Sequence, residues 1–151
     1  MIPLRNFKLK EIKDLINFPQ GVEYLVTTED TLNYPGRFCS FYRQNYFLTI
    51  VEHRKVKFKD KPEYLSLYQF DAPIEILPWF VDKFDFFLKP ASQGGLPSGN
   101  IATDKELVGG YKYNRSRHGK QSILISGSYM FQGGFLDTWK TLANKYENGT
   151  L

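Results

Sequence analysis

Sulfur is scarce in this sequence, which has one cysteine, Cys39, and two methionines in 151 residues. A single thiol excludes an internal disulfide framework and any metal centre built from several thiolates. Histidine is nearly as rare: His53 and His118 are the only two, and neither stands at a metal-ligand spacing. Apolar runs never reach the roughly eighteen residues of a membrane-spanning helix, and "MIPLRNFKLKEIKDLINF" lacks the uninterrupted apolar stretch of a secretion signal. The expectation is therefore an intracellular, cytoplasmic protein that meets no membrane. The acceptor-like "NGT" at 148–150 carries no weight without secretion.

Catalytic patterns are also missing. "GGLPSGN" has glycines but not the Lys-Ser/Thr ending of a phosphate loop. Glu52 and His53 are neighbours on an expected strand, so their side chains point to opposite faces and cannot form a dyad directly. Cys39, beside Ser40 in a strand-like run, reads as a small core residue. The expected inventory has no catalytic residue, no metal ligand and no cofactor.

Aromatic residues are abundant instead. They make up 17% of the chain, with ten tyrosines and thirteen phenylalanines, while hydrophobic residues are 42% and charged residues 24%, close to ordinary globular usage. So much tyrosine suits half-buried surfaces that bind something. The net charge of +4 is modest but unevenly placed. "RKVKFKDK" at 54–61 holds five basic side chains against Asp60, and "YKYNRSRHGK" at 111–120 adds Lys112, Arg115, Arg117 and Lys120. Concentrated positive charge of this kind fits a surface that meets a polyanion.

The pattern along the chain predicts α+β architecture: a single compact domain with an antiparallel meander sheet and helices packed on one face. Leu9, Ile12, Leu15 and Ile16 have the spacing of a short helix ending before "PQG", and "VEYLVTT" reads as a strand. Residues 37–43 and 46–53 form an expected hairpin joined at Gln44-Asn45. In that register Tyr42 faces Phe47, Ser40 faces Thr49 and Phe38 faces Val51, with Phe41 opposite Leu48 and Cys39 opposite Ile50 on the core side. A returning strand, "EYLSLYQF", alternates Tyr64, Ser66 and Tyr68 with Leu65 and Leu67. A helix is expected over 77–88, buried through Leu77, Phe80, Val81, Phe84 and Leu88. Trp79 and Phe86 fall off that stripe, where they could join a homodimer. The Gly/Pro/Ser-rich 89–100 separates a 34–88 meander-plus-helix module from a smaller module at 101–147. That smaller module has an expected hairpin, 106–113 with 120–127 and a tip at "NRSRHGK", and a closing helix marked by Phe135, Leu136, Trp139, Leu142, Ala143 and Tyr146.

Rings and cations combine into one candidate surface. Tyr42, Phe47, Tyr64 and Tyr68 supply an expected stacking platform, and Arg43, Arg54, Lys55, Lys57, Lys59, Lys61, Lys112, Arg115, Arg117 and Lys120 supply phosphate neutralisation. Bases of single-stranded DNA or RNA stack on aromatic rings while their backbone follows Lys and Arg; no recognition-helix or zinc-finger spacing points to duplex binding. A protein-interaction or regulatory factor, using the same surface to bury a partner protein, is the alternative.

"GRFCSFYRQNYFLTIVE" and "SLYQFDAPIEILPWFVDKFDFFL", within residues 34–88, resemble the module of Pur-type and Whirly-type single-stranded nucleic-acid-binding proteins. The resemblance lies in element order and hydrophobic pattern, and implies a curved four-stranded meander followed by one helix. It also implies that two such modules combine, within a chain or between subunits. "ELVGGYKYNRSRHGKQSILISGSY" with "FLDTWKTLANKY" is the candidate second module, in which two strands are evident.

Overall fold

Asn45 sets the geometry of the first hairpin. The computed structural model describes residues 9–31, 34–88, 91–93, 104–108, 111–118, 122–125, 129–132 and 135–151, with side chains over 9–31, 34–82, 92–93 and 135–151. Strands β2 (Phe38–Gln44) and β3 (Phe47–Val56) are joined by Asn45-Tyr46. Asn45 takes the left-handed conformation at φ +54°, which asparagine tolerates better than most side chains. The register is therefore displaced by two residues from expectation: Gln44 pairs with Phe47, Tyr42 with Thr49, Ser40 with Val51, Phe38 with His53, Phe41 with Ile50 and Cys39 with Glu52. A two-residue displacement keeps every side chain on its expected face.

The meander begins earlier than residue 34, at β1 (Glu23–Glu29), and ends with β4 (Tyr64–Pro73), in the spatial order β1-β2-β3-β4. Helix α1 (Ile76–Leu88) follows, then β5 (Asp104–Val108), β6 (Tyr111–His118), β7 (Ser122–Ile125), β8 (Tyr129–Gln132) and α2 (Leu136–Glu147). The second sheet is also an antiparallel meander, β5-β6-β7-β8. Where two strands were expected there are four, because the short β7 and β8, of four residues each, give little periodic signal. "NRSR" consequently lies inside β6 instead of at a hairpin tip. The chain is α+β, with four strands and a helix occurring twice.

Two compact units divide the chain, Leu4–Ile74 and a second running from Glu75 to Leu151. In the second, α1 meets α2 through Phe80 and Trp139, whose ring centroids are 4.2 Å apart. Leu77, Phe80, Trp139, Leu142 and Ala143 are buried, as the helical spacing predicted, while Val81 is half-buried. The side chains of Phe84 and Leu88 lie outside the described residues, as does most of the 89–100 segment.

In the first unit both faces of the sheet centre are buried. Cys39, Phe41, Leu48, Ile50, Phe70 and Ala72 occupy one face. The other carries Ser40, Tyr42, Gln44, Thr49, Val51 and Asp71, also buried, and residues 9–22 run across it. This strap is not the expected helix. Asp14 Oδ1 accepts the backbone N–H groups of Ile16 at 2.8 Å and Asn17 at 3.0 Å, a local turn that competes with helical bonding. Those bonds, Asn17's foremost, pull the Asp14 carboxyl below its usual range.

Two glutamine side chains hold the strap. Gln44 Oε1 accepts from Lys10 N at 3.1 Å and its Nε2 donates to Lys10 O at 3.2 Å. Gln69 Oε1 accepts from Ile12 N at 2.8 Å, and its Nε2 donates to Lys10 O at 3.1 Å. Each amide thus substitutes for a neighbouring strand. Ile12, Val22, Tyr42 and Val51 form the apolar cluster beneath, with Leu15, Phe18 and Leu67 packed around it.

Burying this face strands a carboxyl. Asp71 has 4% of its surface exposed; it accepts hydrogen bonds from Thr49 and Gln69. Burial pushes its pKa above the ordinary 3.8, only partly offset by those donors. The folded chain therefore binds this proton more tightly than the unfolded chain does. The stabilising contribution is fullest below the unfolded pKa and declines as pH rises through the folded one. Asp71→Asn is expected to remove that decline: between pH 4 and neutrality, the melting temperature of the wild type should fall relative to the variant, as followed by calorimetry. Parallel pH profiles for the two proteins would refute the assignment.

Candidate nucleic-acid interface

The four rings expected to share a platform do not share one. Pairing across β3 and β4 runs Phe47 to Pro73, Glu52 to Tyr68 and Val56 to Tyr64, which sends Tyr64 and Tyr68 to the face opposite Tyr42 and Phe47. Tyr42 is completely buried under the strap; its hydroxyl donates to Leu15 O at 3.3 Å, and its ring meets Phe18 and Tyr24 edge-on. Phe47 is half-buried at the Asn45 end of the sheet, roughly 26 Å along β3 from Lys55 at about 3.3 Å per residue. Tyr68 is half-buried beside Glu52, and burial raises the pKa of both, more than Arg37 and Arg54 lower that of Glu52.

The expected cations belong to different elements. Arg43 lies at the Asn45 end, donating from Nε to Asn45 O at 2.8 Å, and lines a small pocket of 380 Å³ there. Lys112, Arg115 and Arg117 stand on β6 in the other unit, and Lys120 lies outside the described residues. Trp79, the expected dimer contact, is half-buried; the side chain of Phe86 lies outside the described residues.

What the fold does gather is the far end of the first sheet. Arg54, Lys55, Lys57, Lys59 and Lys61 are all exposed on the end of β3 and the turn into β4. None has a carboxylate within ion-pair distance among the described residues. Lys57 Nζ donates to Lys61 O, so the turn is tied without neutralising its charge. Amid these cations stand Phe58, 55% exposed, and Tyr64, 49% exposed, with ring centroids 6.3 Å apart and planes tilted by 31°. Sequence reasoning counted Tyr64 but passed over Phe58, although it sits inside the basic run.

Beside the turn lies a cleft of 720 Å³ between residues 34–37 and the sheet end bearing Phe38, His53, Lys55 and Leu65. "YPGR" makes one wall. Gly36 at φ +92°, after proline, gives a tight turn closed by Arg37 N donating to Tyr34 O at 3.1 Å. Arg37 then meets the fully buried Asp30, Nη2 to Oδ2 at 2.6 Å, with Glu52 at 3.9 Å. Its guanidinium also lies 4.8 Å from the centroid of Tyr34. The ion pair fixes the wall of the cleft.

The sheet side is organised by hydroxyls. Tyr24 Oη donates to Thr27 Oγ1 at 2.8 Å, Thr27 Oγ1 lies 2.7 Å from Ser40 Oγ, and Ser40 Oγ lies 2.9 Å from His53 Nε2. Thr27 Oγ1 keeps a second lone pair after accepting from Tyr24, so the direction of the two inner bonds follows the tautomer of His53. Burial lowers the pKa of His53, in keeping with a neutral ring stacked on Phe38 at 5.5 Å and 10°. Ser40 is itself buried, with 2% exposure, so its hydroxyl acts within this chain of bonds.

No family model, no curated protein and no solved structure matches the chain. Among the described residues, no helix is long and apolar enough to cross a membrane.

Two outcomes are expected. Asp30→Ala leaves Arg37 buried without its closest counter-ion, which should cost about 3 kcal/mol in urea denaturation; a cost below about 1 kcal/mol would remove the bridge from this role. In nitrogen-correlated NMR, His53 should titrate below 6.5. A midpoint at or above 6.5 would remove burial as the governing influence on this ring.

Proposed function

We propose that this chain binds single-stranded nucleic acid, DNA or RNA, with low sequence specificity, through the β3–β4 end of its first sheet. One observation carries the reading: the exposed Phe58–Tyr64 ring pair stands among five cations that have no ion-pair partner among the described residues. Stacking on such rings contributes about 1–3 kcal/mol per base and tolerates any base. Arg54, Lys55, Lys57, Lys59 and Lys61 neutralise phosphates along the strand.

Element order supports the same reading. Residues 34–88 hold β2, β3, β4 and α1, and only with β1 before them give the four strands and helix that a resemblance to Pur-type and Whirly-type modules implies. The second sheet has the four strands that a second module requires. Relative to the surface inferred from sequence, the proposed contact omits Tyr42, which is buried, together with Arg43, Phe47, Tyr68, Lys112, Arg115, Arg117 and Lys120, and gains Phe58.

The test is oligonucleotide affinity against salt. With about four phosphates engaged, log affinity should fall with log salt at a slope near −3, at about 0.7 per phosphate on single strands. Phe58→Ala/Tyr64→Ala should lower affinity about 5-fold or more at fixed salt without changing the slope. Lys57→Glu/Lys59→Glu should weaken binding and flatten the slope. Absence of binding at low salt, or a slope of zero, rejects the proposal; an acidic partner protein captured by the same residues would then replace it.

A further inference from the structure

The cleft beside "YPGR" is a distinct feature from the ring pair at the turn, and its chemistry is more restrictive. Among the described residues no carboxylate side chain lines it, and Lys55 does; Glu29 stands behind the turn, accepting from Gly36 N at 3.4 Å, and Arg37 is held by Asp30. The cleft's apolar surface comes from Tyr34, Phe38 and Leu65, with His53 between. Tyr34 and Leu65 are 56% and 46% exposed, so both present apolar surface to the concavity and to solvent. The volume of 720 Å³ lies within the usual range for small-molecule sites, about 300–1,000 Å³. Rings on two sides with Lys55 at the rim match a ligand that is flat at one end and anionic at the other.

We propose that this cleft takes up a single unstacked nucleotide of the bound strand, its base among Tyr34, Phe38 and Leu65 and its phosphate at Lys55. This rests on the single-strand reading above and adds to it a discrete base site. His53 contributes without being charged. Its Nε2 is engaged by Ser40, and its burial-lowered pKa keeps the ring uncharged at neutral pH. Nδ1 has no hydrogen-bond partner among the described residues. Arg37 is a positioning residue: it is bound to Asp30 and lies over the Tyr34 ring, holding one wall in place.

The site is tested with the full chain by amide NMR titration of adenosine and uridine 5′-monophosphates, alongside anisotropy of a labelled oligonucleotide. The expected result is a set of saturable shifts concentrated at Tyr34, Phe38, His53, Lys55 and Leu65. Leu65→Glu, at an exposed position, should abolish those shifts and lower oligonucleotide affinity about 10-fold, and Lys55→Glu should do the same. Phe58→Ala should weaken the oligonucleotide while leaving the mononucleotide shifts intact. Melting curves establish that each variant is folded. Oligonucleotide binding that persists unchanged in Leu65→Glu and Lys55→Glu, with no mononucleotide shifts in the cleft, overturns this inference alone. Failure of the oligonucleotide to bind at low salt overturns it together with the single-strand reading.

Discussion

The hydrogen-bonding demand of a strap laid across a sheet governs the first unit. A backbone segment crossing the buried face of β2, β3 and β4 brings N–H and C=O groups that must find partners out of water. Gln44 and Gln69 meet that demand, each using both ends of its amide. Because the strap is held, Tyr42 and Val51 are sealed and Asp71 is buried with Thr49 and Gln69 as donors. The strap covers only part of the face. Where it stops, the rings and the lysine of the sheet end remain open, and the cleft lies there.

A second constraint is strand parity. Side chains alternate faces, so the pairing of Glu52 with Tyr68 decides that the tyrosines of β4 cannot join Tyr42. The binding chemistry is gathered at the end of the sheet instead of across its face, since only there can a turn, a strand end and an adjacent loop converge. Rigidity comes from the Asp30–Arg37 pair and the tight turn at Gly36, which set one wall against the sheet without a helix.

Much of this fold was legible in the sequence. The spacing of Leu77 and Phe80 and of Trp139, Leu142 and Ala143 marked the helices, and alternation marked β2, β3 and β4. The strap was misread because Leu9, Ile12, Leu15 and Ile16 suit a helix by spacing alone, whereas the Asp14 turn and the glutamine clasps depend on partners far along the chain. β7 and β8 are too short for periodicity to separate them from loop. The basic turn could be read directly, because its charge is local. Tyr34, Phe38, His53 and Leu65 could not be grouped, since they come together only through strand pairing and a buried ion pair. Face assignment for Tyr64 and Tyr68 depended on residues 57–63, whose length admits either parity.

The strap also imposes an order of assembly. Gln69 is separated from Ile12 by 57 residues, so during synthesis the segment emerges from the ribosome well before its clasp exists. Gln44, only 34 residues from Lys10, is in place as soon as β2 is made. The two clasps therefore become available in sequence, the nearer one before the farther.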